Sequence, residues 1–489
     1  MLVNKSQTFI QIILACFIAA VLGYASMKVE VNLLYGAAAL LLLILALFVI
    51  TFYIVCFWRN RGWDYRIYAL TIASSFIGAA LVSVKVASIS IFPFRILIAF
   101  TWLLVIIEMI KRRQLTYFRD VNVKWVFYYF IFWILYGLVA MNWSAQPIET
   151  VKELIFLGTG ISLVILTVAL LRDEKSYIEF FTIWIVMGIL LIGIGLVNNL
   201  LQIHLPISRI TEVSAYQKHI PTSVFVNEND FGSFLAISFF FFVSLAKNGK
   251  RIIYNLIGAM GALLSVYLIV ETNSRANYIA VALGAVFWFL FLLNRRQKMA
   301  FTLLAAIPFI GILFVLRSRL DNIFLNLSSQ ITSLLPGNGG GAAGSVDIRE
   351  NLLRNARTFI ENSFGFGISP GNVEFYMKNF GVYDTHQDYN IHNWWAEIFV
   401  HYGLLIFTGY ILLFIFLFIS LYKIKRTIRT NHTKLITEAL LCSILVFIFS
   451  SISPNSFMAL NYNWLFLAFA VGYVNLHSNK AQHIGGKNV

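Results

Sequence analysis

The chain has 489 residues, 59% hydrophobic and 12% charged, with a formal net charge of +15. A soluble domain carries about 25% charged residues. The composition therefore excludes an ordinary soluble enzyme, a disordered chain and a disulfide-stapled secreted domain, and leaves a polytopic membrane protein.

A spanning helix takes roughly 20 mostly apolar residues. In chain order, such runs fall near 9–27, 32–58, 67–84, 89–110, 125–141, 154–171, 177–200, 231–246, 252–270, 276–293, 299–316, 395–422, 435–452 and 464–476. They predict an all-α polytopic integral membrane protein with about 12–14 transmembrane helices. One long extracytoplasmic loop carries short amphipathic helices. The runs divide the chain into N-terminal transmembrane helices (1–201), central transmembrane helices with an outer loop at 202–230 (202–316), the large extracytoplasmic loop (317–394), and C-terminal transmembrane helices with a cytoplasmic tail (395–489). The first run follows Lys5 as a signal peptide would, but no soluble domain follows it, so it reads as a retained anchor. Cys16, Cys56 and Cys442 each lie inside an apolar run without a partner at metal spacing, and read as small buried residues.

In a soluble protein the positive balance would suggest nucleic acid. Here most of the 37 Lys and Arg fall in alternate loops, such as Lys111–Arg113, Lys247–Arg251, Arg295–Lys298 and Lys423–Arg429. That is the positive-inside pattern, with both termini in the cytoplasm and no nucleic-acid partner. A remainder lies elsewhere: Arg95, Lys152, Arg209, Arg275, Arg349, Arg354 and Arg357 among them.

The long loop has parts. Residues 336–345 are a glycine-rich breaker whose Gly339, Gly341 and Gly344 spell a formal GxGxxG, but no strand precedes it, so it reads as a linker. Residues 347–362 show Leu352, Leu353, Ala356, Phe359 and Ile360 at helical spacing, with Asp347 as a plausible N-cap. Glu350 with Arg354 and Arg357 with Glu361 are i,i+4 pairs. Arg349, Arg354 and Arg357 share one broad face, either a salt-bridged surface or a patch for phosphate. Arg275 stands in a short turn between two spans, where a guanidinium must snorkel, pair with Glu271 or grip an anionic headgroup. His386, Asp388, His392, Asn393, Glu397 and His401 cluster where the chain re-enters the membrane, marked by Trp394 and Trp395. A neutral histidine there suits general-base work. The sequence contains no P-loop, no D-x-D and no HExxH. Glu228-Asn-Asp230 is the nearest metal-binding look-alike and reads as a solvated turn, and no metal or cofactor is expected.

Four segments in order resemble the O-antigen ligase and polymerase superfamily. They are N-E-N-D-F-G (227–232), T-N-S-R (272–275), R-x4-R-x2-R followed by S-F-G-F-G (349–367), and H-N-x9-G from His392 to Gly403. The match covers roughly 220–410, while the flanking spans match only in hydrophobicity. It departs from the family pattern at Ile406, where Gly, Thr or Tyr is usual. The resemblance implies a metal-independent glycosyltransferase in the bacterial cytoplasmic membrane. It would polymerise or ligate glycan units carried on undecaprenyl pyrophosphate, with that donor, a glycan acceptor and membrane lipids as partners. His392 would take the acceptor proton, with Asn393, Asp388 or Glu397 orienting its ring. Arg275, Arg349, Arg354, Arg357 and Asp388 would bind substrate. A lipid-linked oligosaccharide flippase is the rival reading, against which the absence of a clear internal repeat counts.

Overall fold

The structure is a computed structural model that describes residues 62–80, 83–86, 89–113, 117–118, 121–303, 345–427, 430–454 and 457–485. The predicted spans 9–27 and 32–58, nearly all of 299–316, Cys16, Cys56 and all of the glycine-rich breaker but Ser345 lie outside these residues. Among the described residues, nine helices are long and apolar enough to cross a membrane. Each corresponds to a predicted span, and the protein is an all-α multi-pass membrane protein.

In chain order the elements are α1 (Trp63–Ile77), a hairpin of β1 (Val84–Val86) and β2 (Ile89–Ile91), α2 (Pro93–Arg112), α3 (Lys124–Ala140), α4 (Pro147–Leu170) and α5 (Glu174–Leu201). Then come α6 (Glu228–Asn248), α7 (Ile252–Glu271), α8 (Arg275–Phe287), α9 (Ser345–Asn362), α10 (Val373–Phe380), α11 (Trp394–Thr427), α12 (Asn431–Ser450) and α13 (Asn461–Gly485).

The predicted span 67–84 needs correction. Its helix ends at Ile77, and Val84 pairs with Ile91 in an antiparallel hairpin. Val84, Val86, Ile89 and Ile91 alternate with Lys85 and Ser90, which is the two-residue period of a strand rather than of a helix. The start of the amphipathic helix also shifts: α9 begins at Ser345, so Asp347 sits in its first turn instead of capping it. Glu228 and Asp230 occupy the first turn of α6 and are buried, not part of a solvated turn.

Aromatic side chains fill the main core. Trp184 stacks on Phe241 with centroids 4.6 Å apart and donates from Nε1 to Ser238 Oγ at 3.0 Å, so its polar atom is satisfied inside the bundle. At one end of the bundle Lys247 meets Glu438 at 2.9 Å, both nearly buried, and Asn248 donates to the same carboxylate. Lys425 Nζ donates to Phe291 O at 2.6 Å, capping the π turn that extends α8. Cations at helix C-termini answer the negative end of the dipole.

At the opposite end, α9 and α10 form a small second core. Leu352, Ala356, Phe359 and Ile360 of α9 are buried against Ile368, Val373, Met377, Ile391 and Val400. Leu353, also predicted for that face, is 40% exposed. The predicted span 395–422 is divided: Gly403 breaks α11 with φ +72°. Residues 394–402 therefore sit between the two cores, giving Trp394, Ile398 and Tyr402 to the main core and Val400 to the small one. The chain after Gly403 runs on as the apolar span.

Candidate active site

The four sequence segments converge at the end of the bundle that carries α9 and α10. Asn227 caps α6, its Oδ1 accepting from the Asp230 amide at 3.0 Å. Two residues on, a Cβ at Gly232 would stand 2.5 Å from Asn277 Nδ2 and 3.2 Å from Thr272 Oγ1, so the first segment packs on the second without room for a methyl group. Ser453, in the turn between α12 and α13, donates to Asn229 Oδ1 at 2.8 Å and lies 3.4 Å from Ser274 Oγ. Ser451 beside it accepts from the Trp394 amide at 3.0 Å, and its Oγ accepts from Trp395 Nε1 at 3.0 Å. This serine turn ties the first two segments to the last.

The third and fourth segments meet at Gly403. A Cβ there would overlap the backbone of Phe366, at 2.6 and 2.7 Å from its carbonyl atoms. Leu404 N donates to Gly365 O and Ile368 N to Val400 O, both at 2.9 Å. The S-F-G-F-G turn thus satisfies backbone groups that the break in α11 frees. Tyr136 and Trp143 donate to Phe366 O and Gly367 O at 2.6 and 3.1 Å and fasten the turn to α3 and to the 3-10 turn that follows it.

Immediately before α11 the chain holds His392 with φ +52°; His386 and Gln387 also have positive φ. Non-glycine residues in this region are strained and tend to gather where a loop is shaped for a task. His392 Nε2 lies 3.1 Å from Asp388 Oδ2, while Nδ1 is buried without a hydrogen-bond partner among the described residues. A carboxylate only accepts, so it holds the proton on Nε2 and leaves the Nδ1 lone pair open. Burial works to raise the Asp388 pKa. The His392 hydrogen bond and charge, the Asn390 amide and Arg349 outweigh it and hold the carboxyl below its ordinary value.

Arg349 feels Asp388 on one side and Arg275 on the other. Its burial lowers its pKa, Asp388 opposes that, and the like charge of Arg275 adds to it. The Arg275 and Arg349 guanidiniums and the Asp388 carboxylate thus share one electrostatic neighbourhood. Arg354 and Arg357 stand apart. They are exposed, paired at i,i+4 with Glu350 at 2.5 Å and Glu361 at 2.7 Å. Asn393 accepts from the Trp395 and Ala396 amides at 3.1 and 3.2 Å, as an N-cap of α11. The contact to the His392 ring comes from Asp388, not from Asn393 or Glu397. Glu397 and His401 are 6% and 8% exposed and line a cavity of about 430 Å³ that also reaches Asp388.

Sequence reasoning missed several residues here. Glu149 and Glu153 of α4 line the same cavity, as does Lys152, which stood out only as a cation outside the inner loops. A carboxyl at the edge of an apolar run was the available signal for Glu153. Ser451 and Ser453 carried none. A second cavity of about 320 Å³ shares Lys152, Phe156 and Ala459 with the first and is walled by Phe76, Phe92 and Phe225 with Arg95. Among the described residues no group of three or more His, Cys, Asp or Glu is placed to hold a metal ion.

Residues 260–411 match the family described as O-Antigen ligase (Wzy_C). The chain is also 34% identical over 469 residues to the teichuronic acid biosynthesis protein TuaE of Bacillus subtilis (strain 168), covering 94% of each chain. The chain belongs to the O-antigen ligase and polymerase family. The likeness to a family member thus extends well beyond 220–410 and includes the flanking spans, which the sequence reading matched by hydrophobicity alone.

Proposed function

We propose that the protein is a glycosyltransferase of the cytoplasmic membrane. It polymerises or ligates glycan units carried on undecaprenyl pyrophosphate at the outer face, in the assembly of a surface polysaccharide. The likeness to TuaE makes teichuronic acid the first product to test. The observation that carries this reading is the Asp388–His392 pair beside Arg349 and Arg275.

In this mechanism the pyrophosphate of the donor lies against the Arg275 and Arg349 guanidiniums, whose planar forks match phosphate oxygens. An acceptor hydroxyl gives its proton to His392 Nδ1. Its oxygen forms the new bond to the anomeric carbon as the bond from that carbon to pyrophosphate breaks, with inversion. The electron pair leaves with the lipid pyrophosphate, and the two arginines stabilise that growing charge. Asp388 keeps Nε2 protonated and stabilises the imidazolium that forms. Asn393 fixes the start of α11 directly after His392. Arg354 and Arg357 shape the surface of α9 and leave the pyrophosphate to Arg349.

The test is elongation by purified protein of synthetic undecaprenyl-pyrophosphate repeat units. Longer chains are expected without a nucleotide sugar and with a metal chelator present. His392→Ala and Arg275→Ala are expected to lose product. A requirement for a nucleotide sugar, or full activity in both variants, overturns the reading.

A further inference from the structure

The cavity of about 430 Å³ lies between the first turns of α4, the start of α10, the loop at Asp388 and the first turns of α11. Its walls carry the carboxyls of Glu149, Glu153, Glu374, Asp388 and Glu397, and Lys152 is the one cation lining it. That cation is already committed: Lys152 Nζ lies 2.6 Å from Glu149 Oε1. None of Arg275, Arg349, Arg354 or Arg357 lines the cavity.

Two wall residues are incompletely paired. Glu397 Oε1 and His401 Nε2 have no hydrogen-bond partner among the described residues, and both side chains are more than nine-tenths buried. A buried polar atom left unpaired is costly, so a wall with two of them is complementary to something that supplies the missing bonds. A second anion brought to the cavity would meet like charge at its rim, where Glu374 is exposed and Asp388 half-buried. A hydroxyl would not. It donates to a carboxylate and accepts or donates at an imidazole, without adding charge. The volume is that of a small-ligand site and suits a short saccharide.

We infer that this cavity is the acceptor subsite, which takes an uncharged sugar residue, neutral or N-acetylated, and excludes a uronic acid. The inference rests on the proposed transferase reading and deepens it. Asp388 is common to both regions: its charge acts on Arg349, it lines this cavity, and it holds the base His392. A sugar seated against Glu397 and His401 would share the wall residue Asp388 with the base, so that the subsite adjoins the His392 pair. The chain would then grow by attack from an uncharged terminal residue, whatever acidic residues lie further along the repeat.

The experiment measures binding without turnover. Full-length protein carrying His392→Ala, in nanodiscs, is titrated with two soluble oligosaccharides of equal length. One ends in N-acetylhexosamine and the other in glucuronic acid, and both are followed by saturation-transfer NMR. The neutral terminus is expected to bind roughly ten-fold tighter or more. Adding Glu397→Gln or His401→Ala is expected to weaken it about five-fold. Adding Glu374→Gln, an exposed rim change that leaves the core intact, is expected to narrow the discrimination. Equal affinity for the two termini, or a preference for glucuronic acid, overturns the proposal. So does neutral binding unmoved by the inner-wall variants together with discrimination unmoved by Glu374→Gln. Elongation by the wild type is read separately, so a failed transferase reading shows as absent elongation and a failed subsite as absent selectivity.

Discussion

Asp388 and His392 are four residues apart, a spacing that on a helix would place them on one face, yet they stand on a loop and meet because the backbone turns through positive φ at His392. The pairing is therefore a property of the loop, and its consequences are those of a fixed tautomer. Asp388→Asn keeps the size but can offer an amide NH2 where an acceptor is needed. Initial elongation rates are expected to fall by roughly 10²-fold or more, the scale of a lost general base. The depressed Asp388 pKa has a definite sign. Its contribution to stability is fully present above the ordinary aspartate range and is lost as pH falls through the lower folded value. The Tm difference between wild type and Asp388→Asn is thus expected to be flat near neutrality and to shrink only in strong acid. Among the arginines of α9 the roles separate: Arg349→Ala is expected to lose product, whereas Arg354→Ala and Arg357→Ala change stability by about 0.5 kcal/mol or less, as exposed i,i+4 pairs do. Equal losses in all three would return the whole face of α9 to substrate binding.

Among elements, the junction of the S-F-G-F-G turn with the break in α11 organises the site. Gly403 combines a backbone angle that side chains avoid with a neighbour too close for a Cβ. Gly403→Ala is expected to cost about 1–3 kcal/mol from the backbone alone, before any overlap with Phe366 is relieved. Hydrogen exchange should rise in 363–368 and 394–402 while α6 and α12 stay protected. Unchanged exchange in those two stretches would mean that the turn and the helix break are not coupled. The same junction explains a feature of the sequence that spacing leaves unexplained: the third and fourth segments accompany one another because each supplies backbone partners for the other.

Across the whole molecule the two ends of the bundle are chemically distinct. One end holds Lys247, Glu438 and Lys425, the other the His392 loop and the serine turn. Removing one member of a nearly buried ion pair leaves the other charge stranded, so Lys247→Met is expected to destabilise by about 3–5 kcal/mol, and Lys247→Met with Glu438→Leu by less. Thermal unfolding in detergent reads both, and an equal loss in the single and double variants would assign the effect to packing. The orientation proposed for catalysis puts the His392 end outside. A cysteine replacing exposed Tyr383 should react with a membrane-impermeant thiol reagent in intact cells, and one replacing exposed Lys423 should not. The reverse pattern would invert the topology.

The sequence by itself determined the class of protein, the existence of nearly every described helix and the amphipathic face of α9. These are set by apolar runs and by periodicity, which are local quantities. The residues of the site were visible as types, since histidines, arginines and carboxylates are conspicuous in an apolar chain. Their partnerships were decided by tertiary structure. The placement of Arg349 near Asp388, the tie through Ser451 and Ser453, and the cavity that joins Glu153 to Glu397 all depend on which helix ends lie side by side. No pattern along a single helix encodes that, because hydrophobic periodicity fixes which face is buried and not which neighbour buries it.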